Sequence, residues 1–158
     1  MPTLQLELLP DYFQFYLQDE AASGDLSQAW SPAAVTCMLA MAEGVVGIGT
    51  ARNMLVPVTV EVLEMAPPAL LERFDHVVEG SLEVSSGTLV IAGCTDYLPD
   101  AARLPIAKGG NAARVCVSGL DTLSEDGLQG QDHYLVQLWP CPLDVLLLEP
   151  RVLKQSCY

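Results

Sequence analysis

Apolar and polar residues alternate with a period of two through most of this chain, and that rhythm constrains the fold more tightly than any other feature. Side chains on a β-strand point alternately to its two faces, so the pattern buries one face and leaves the other to water. Leu4, Leu6 and Leu8 open the series, and Phe13, Phe15 and Leu17 follow, alternating with Tyr12, Gln14, Tyr16 and Gln18. Val56, Val58, Val60 and Val62 alternate with Thr59 and Glu61. Beyond Pro67 and Pro68, Val78, Gly80, Leu82 and Val84 face away from Val77, Glu79, Ser81 and Glu83. This assigns Glu61, Glu79 and Glu83 to the wet faces of strands. Ser85-Ser86-Gly87 reads as a hairpin turn into a strand over 88–92, because glycine adopts the positive φ that tight turns need. Lys108-Gly109-Gly110-Asn111 is a second turn, leading to Ala113, Val115 and Val117. The last clear strand spans 132–139, with Tyr134, Val136 and Leu138 on one face and His133, Leu135, Gln137 and Trp139 on the other.

One helix interrupts the strands. Ser31 is a favourable N-cap, Pro32 suits the first helical position, and the Ala- and Met-rich run that follows predicts a helix ending at Gly44. With Thr36 and Glu43 its only clearly polar interior positions, it is expected to be buried against a sheet. The predicted fold is a single domain, mainly β: an antiparallel β-sandwich with one short α-helix near residues 32–43.

Charge excludes several functions. Among 158 residues there are 20 Asp plus Glu against 7 Lys plus Arg, a formal charge of −13. Such a chain is repelled by phosphate, so direct binding to nucleic acid or to anionic membranes is not expected. Disorder is excluded as well, because 51% of residues are apolar and only 17% charged, enough for a core. The most apolar stretch, 33–42, stops at Glu43 and is far short of the roughly 20 residues that span a bilayer. The first residues lack the basic start and apolar core of a signal peptide, so a cytoplasmic protein is expected. Cys37, Cys94, Cys116, Cys141 and Cys157 are widely spaced with no C-x-x-C pair, and are read as reduced thiols.

No motif carries a strong catalytic signal. Gly44-Val45-Val46-Gly47-Ile48-Gly49 resembles a dinucleotide fingerprint only superficially, since the helix precedes the glycines and Arg52 occupies the third glycine position. Gly44 is instead read as a helix C-cap, and Gly47 and Gly49 as kinks in a strand. Asp75-His76 and Asp132-His133 pair a carboxylate with an imidazole, but adjacent strand residues point to opposite faces. Cys94 lies in no nucleophile signature, and no Cys/His spacing suits zinc. We therefore expect no catalytic residues and no cofactor. The most pointed feature is acidic: Asp121, Glu125, Asp126 and Asp132 on the segment 121–132, joined by Asp96 and Asp100 if their loop lies alongside. Three readings stay open for it: a surface for a basic protein, a calcium or small-ligand site with hydrolytic activity as an option, and a merely solvated loop. Homodimerisation through a sheet edge or through Val145-Leu146-Leu147-Leu148 is also open.

The order of elements adds a resemblance. An aromatic early strand ending in acids (Asp11-Tyr12-Phe13-Gln14-Phe15-Tyr16-Leu17-Gln18-Asp19-Glu20), then Ala29-Trp30-Ser31 opening a helix, then a glycine-led strand and Arg52-Asn53, resembles the competence protein J (ComJ-like) family. The strands at 56–62, 77–84, 104–117 and 133–139 resemble its later ones. The segments 74–84 and 119–128 also look like uncharacterised bacterial relatives. The family's founding member inhibits a nuclease of DNA uptake, so the resemblance implies a non-enzymatic inhibitor or immunity-type protein whose partner is basic. Two departures stand out: the 121–132 loop is longer than in the inhibitor, and the tail after Trp139 has no clear counterpart.

Overall fold

The computed structural model describes residues 3–23 and 25–156. Two sheets face each other. The first has six strands in the order β1 (Thr3–Leu8), β5 (Val56–Val62), β10 (His133–Pro140), β9 (Gly109–Ser118), β6 (His76–Val84) and β11 (Arg151–Lys154). The second has five, in the order β3 (Leu39–Ala42), β4 (Val45–Gly49), β2 (Gln14–Asp19), β7 (Thr88–Gly93) and β8 (Ala102–Pro105). The mainly β sandwich read from the alternation is present. It is antiparallel except at one place, where β10 lies parallel to β5 with Tyr134 opposite Val58 and Leu138 opposite Val62.

The alternation is obeyed where a strand has one wet face. Val56, Val58 and Val60 are buried while Pro57 is exposed. Phe15 and Leu17 enter the same core from the other sheet, and Phe15 meets Tyr134 edge-on with ring centroids 6.3 Å apart. The alternation fails at β6, where both faces are covered. Glu79, assigned above to a wet face, is buried and paired with Arg114 at 2.9 Å and Arg151 at 2.6 Å. Ser81 accepts a hydrogen bond from the Leu147 amide, so the segment before β11 lies over this face. Glu61 is half-buried and accepts from Gln137, whereas Glu83 is exposed as expected.

The helix is shorter than predicted. α1 covers Pro32–Cys37, with Ser31 Oγ accepting from the Ala34 amide as the N-cap. It ends because Met38 turns left-handed at φ 63°, after which 39–42 becomes β3. Pairing with β4, with Leu39 opposite Ile48 and Ala42 opposite Val45, overrides the helical propensity of this apolar run. Gly44 accordingly sits at the tip of the β3–β4 hairpin and caps no helix. Only Ala34 and Cys37 of α1 are buried. Gly47, read above as a strand kink, marks a close approach: a Cβ there would come within 2.8 Å of Leu26 and 2.9 Å of Trp30. No helix among the described residues is long and apolar enough to cross a membrane.

Candidate functional site

Both acidic loops emerge at the same end of the sandwich. Residues 94–101 leave the end of β7, where Gly93 is opposite Phe15 at the start of β2. Residues 119–132 join the end of β9 to the start of β10, where Ser118 is opposite His133. The segments 9–13 and 50–52 lie between them. The Thr50 amide donates to Phe13 O at 2.9 Å, and the Ala51 amide donates to Tyr134 Oη at 2.8 Å. Asp96, Asp100, Asp121, Glu125 and Asp126 are all exposed.

Asp132 is not. It is 0% exposed, so it leaves the set of surface acids proposed from sequence. One of its oxygens accepts from Arg52 Nε at 2.5 Å and the other from Tyr134 Oη at 2.7 Å. Burial pushes the Tyr134 hydroxyl well above its usual range, so it stays a donor to this carboxylate. The alternation puts Asp132 at the head of a strand, yet its side chain turns inward to meet Arg52. Arg52 also donates to Leu128 O at 3.4 Å, which ties the long loop to the 50–52 segment. Gly119 allows the loop to return so closely. Its φ is +76°, and a Cβ there would collide with Gln131 O.

The exposed carboxylates are held by local bonds. Asp126 accepts from Ser124 Oγ at 2.6 Å and the Leu128 amide at 3.0 Å, which hold its carboxyl below the usual range. Asp96 accepts from the Gly93 amide at 2.8 Å, and Asp11 from Thr95 Oγ1 at 2.5 Å. Among the described residues no three His, Cys, Asp or Glu side chains converge as a metal site. Of the seven basic residues, Arg52, Arg103, Arg114 and Arg151 are in ion pairs. Arg103 bonds Glu20 and the Leu98 and Ala101 carbonyls, within reach of the 94–101 loop.

The groups considered for catalysis are occupied elsewhere. His76 is buried, with Nε2 2.7 Å from Cys37 O and Nδ1 accepting from the Ser156 amide at 2.9 Å. One nitrogen must donate and the other accept, which defines the neutral Nε2–H tautomer. Burial lowers its pKa further. His133 lies 2.9 Å from Thr59 Oγ1, and burial lowers its pKa too. Asp75 accepts from the Leu120 amide and Cys94 Sγ donates to Asp11 O. Burial, reinforced by Asp11, pushes the Cys94 thiol up; Cys116 is pushed up to about 11, mainly by burial. The four described cysteines are free, and Cys157 lies outside the described residues.

Sequence reasoning missed the apolar part of this end. Phe13, expected to point into the core as the first strand residue, is 51% exposed, and Tyr12 is 75% exposed. Both have φ of 60° within the turn 11–13, ahead of β2. Left-handed backbone costs a non-glycine residue about 1–2 kcal/mol, and here two aromatics in succession adopt it. The turn is held by the Phe13 amide bonding Pro10 O and by the Thr50 and Cys94 bonds. Pro10-Asp11 before an aromatic run was the available signal, a turn pair ahead of the alternation. Leu9, Leu55, Tyr97 and Leu128 are exposed at the same end. Beside the turn is a cleft of about 280 Å³ whose walls include Tyr12, Phe13, Trp30, Val35 and Met38. A larger cleft of about 630 Å³ lies between α1 and residues 148–155, and none of the acids proposed from sequence lines it.

No protein-family model and no curated protein sequence matches the chain. Two solved structures superpose on most of it. The product of crocagin biosynthetic gene J does so with a TM-score of 0.56 at 16% identity, over 89% of this chain and 99% of its own. ComJ of Bacillus subtilis, an inhibitor of the DNA degrading activity of NucA, gives a TM-score of 0.66 at 13% identity, over 89% of this chain and 96% of ComJ. The resemblance carried by the early aromatic strand, Ala29-Trp30-Ser31 and the late strand therefore holds as a likeness of fold, and this chain is folded like ComJ.

Proposed function

We propose that this protein is a non-enzymatic binding module of the inhibitor or immunity type, and that its partner is a basic protein such as a nuclease. One observation carries the reading. Five exposed acids, Asp96, Asp100, Asp121, Glu125 and Asp126, share one end of a ComJ-like sandwich with exposed apolar side chains. Acids of one sign steer a cationic partner and accelerate its association. Apolar groups among them supply the contact that charge alone does not. The role of ComJ as an inhibitor of a DNA-degrading activity supports the choice of partner class. The four described cysteines, none of them in a disulfide, are compatible with action in a reducing compartment such as the cytoplasm.

The test is affinity capture from the native host at low and at high salt, followed by a DNA-degradation assay of whatever is recovered. A basic protein that elutes with salt and loses its nuclease activity when this chain is added supports the proposal. Glu125→Lys with Asp126→Lys is expected to slow its association. Recovery of acidic or neutral proteins only, or binding indifferent to salt and to the charge reversal, would sink it.

A further inference from the structure

We propose that the cleft beside the 11–13 turn receives an aromatic or long apolar side chain that the basic partner projects between its cationic residues. The inference rests on the partner-binding reading above and adds the chemistry of the anchor. Tyr12 and Phe13 are adjacent exposed aromatics, and both adopt left-handed backbone. With φ near −120° in register with β2, Phe13 would continue the alternation into the core beside Phe15. The observed turn gives up that burial, and it is fixed from three sides by Pro10, Thr50 and Asp11 with its partners.

The cleft's size and lining select the occupant. At about 280 Å³ it falls below the usual range for small-molecule sites and suits one large side chain. Trp30 forms a wall, and its indole N–H already donates to Gln14 Oε1 at 2.8 Å. The wall therefore presents the ring rather than an unmet donor, and an apolar guest strands no indole N–H. Charge complementarity decides among guests. Asp11 and Asp96 lie beside the turn, and Asp121, Glu125 and Asp126 lie at the same end. A second copy of this chain would bring the same acids and a further −13, and an anionic membrane would be repelled likewise. A cationic surface carrying an apolar anchor matches both the uncharged cleft and the acids beside it.

Three acetylated and amidated tripeptides, Arg-Trp-Arg, Arg-Ala-Arg and Glu-Trp-Glu, separate the parts by NMR titration of the full chain. Arg-Trp-Arg is expected to bind about tenfold more tightly than either other peptide, shifting the Trp30 indole and Met38 methyl signals. Phe13→Gly and Tyr12→Gly are chosen because glycine accepts φ of 60° without strain, which offsets the entropy it adds to the unfolded chain, so these variants should still fold. Each should lose the tenfold advantage while binding Arg-Ala-Arg unchanged. Equal binding of Arg-Trp-Arg and Arg-Ala-Arg overturns the anchor and leaves the acidic reading intact. Equal binding of Arg-Trp-Arg and Glu-Trp-Glu overturns the choice of a basic guest. Shifts at Met41 and Gln155, which line the other cleft, overturn the location. No binding of any peptide overturns the anchor and the acidic surface together.

Discussion

Replacing Asp132 by alanine is expected to destabilise this protein by about 3–5 kcal/mol, the cost of leaving one member of a buried ion pair alone. The magnitude follows from what the carboxylate holds. Asp132 is fully buried and the Arg52 side chain is 9% exposed, with their atoms 2.5 Å apart. Without the carboxylate, the guanidinium keeps only the Leu128 carbonyl at 3.4 Å, and Tyr134 loses the acceptor for its hydroxyl. For a chain of this length 1 kcal/mol moves the melting temperature by about 2–4 °C, so the loss should appear as roughly 6–20 °C. Arg52→Met should cost a similar amount, because it strands the charge on the other side. The double variant Arg52→Met with Asp132→Leu should recover most of the loss, since a buried pair is weakly stabilising relative to apolar residues that pack in its place. Urea denaturation followed by tryptophan fluorescence gives all three values. An Asp132→Ala loss below about 1 kcal/mol, or a double variant as unstable as the sum of the singles, would show that the pair does not hold the long loop as described.

Two further outcomes depend on pH. Burial pushes the Asp19 carboxyl up, but hydrogen bonds from Ser86 and Ser85 outweigh it and hold the carboxyl below its ordinary 3.8. The unfolded chain then takes up the proton first on acidification. Asp19 contributes fully above about pH 4, and that contribution disappears as pH falls through the folded value. Asp19→Asn should therefore cost about 1.5–3 kcal/mol near neutrality, and the gap to the parent should narrow in acid urea titrations; an equal gap near pH 2.5 refutes it. For His76 the folded value lies below 6.5, so the unfolded chain again binds the proton first and stability is lost as pH falls below that value. The protection factor of the Ser156 amide, which donates to His76 Nδ1, should drop between about pH 7 and pH 5.5, and His76→Gln should remove that dependence. A pH dependence that survives His76→Gln but vanishes in His133→Gln assigns it to the half-buried imidazole of His133.

What could be read from sequence was what depends on neighbours along the chain. Strands with one wet face announced themselves, as in 56–62, and so did the Ser31 cap and the turn at Gly87, because alternation, capping and positive φ are local properties. What was lost depended on partners distant in sequence. The 32–43 run has the composition of a helix throughout, and only the existence of β4 as a pairing partner converts 39–42 to a strand. Glu79 sits at a wet position by alternation, and it is buried because Arg114 and Arg151 arrive from elsewhere in the chain to meet it. Asp132 joined a list of surface acids for the same reason: nothing nearby in sequence reveals a cation 80 residues away. The acidic loops were found by composition, but Tyr12 and Phe13 were hidden inside an alternating pattern that their backbone does not follow.

The parallel contact between β5 and β10 dictates an order of events during synthesis. β10 is inserted between β5 and β9, so the six-stranded sheet stays divided until residues 133–140 have left the ribosome. Roughly 70 residues separate β5 from β10, which at about 5–20 residues per second leaves the β5 edge unsealed for several seconds, whereas the β9 edge, about 15 residues ahead of β10, waits only about 1–3 s. Glu61 is the one charged residue on the waiting β5 edge, and Pro57 stands ahead of the first β10 rung with no amide to offer. Both are devices that discourage pairing with a foreign strand. A ribosome that stalls before Asp132 would release a chain with two adhesive edges and no Arg52 partner, making roughly the last sixth of this protein the part that seals the sheet.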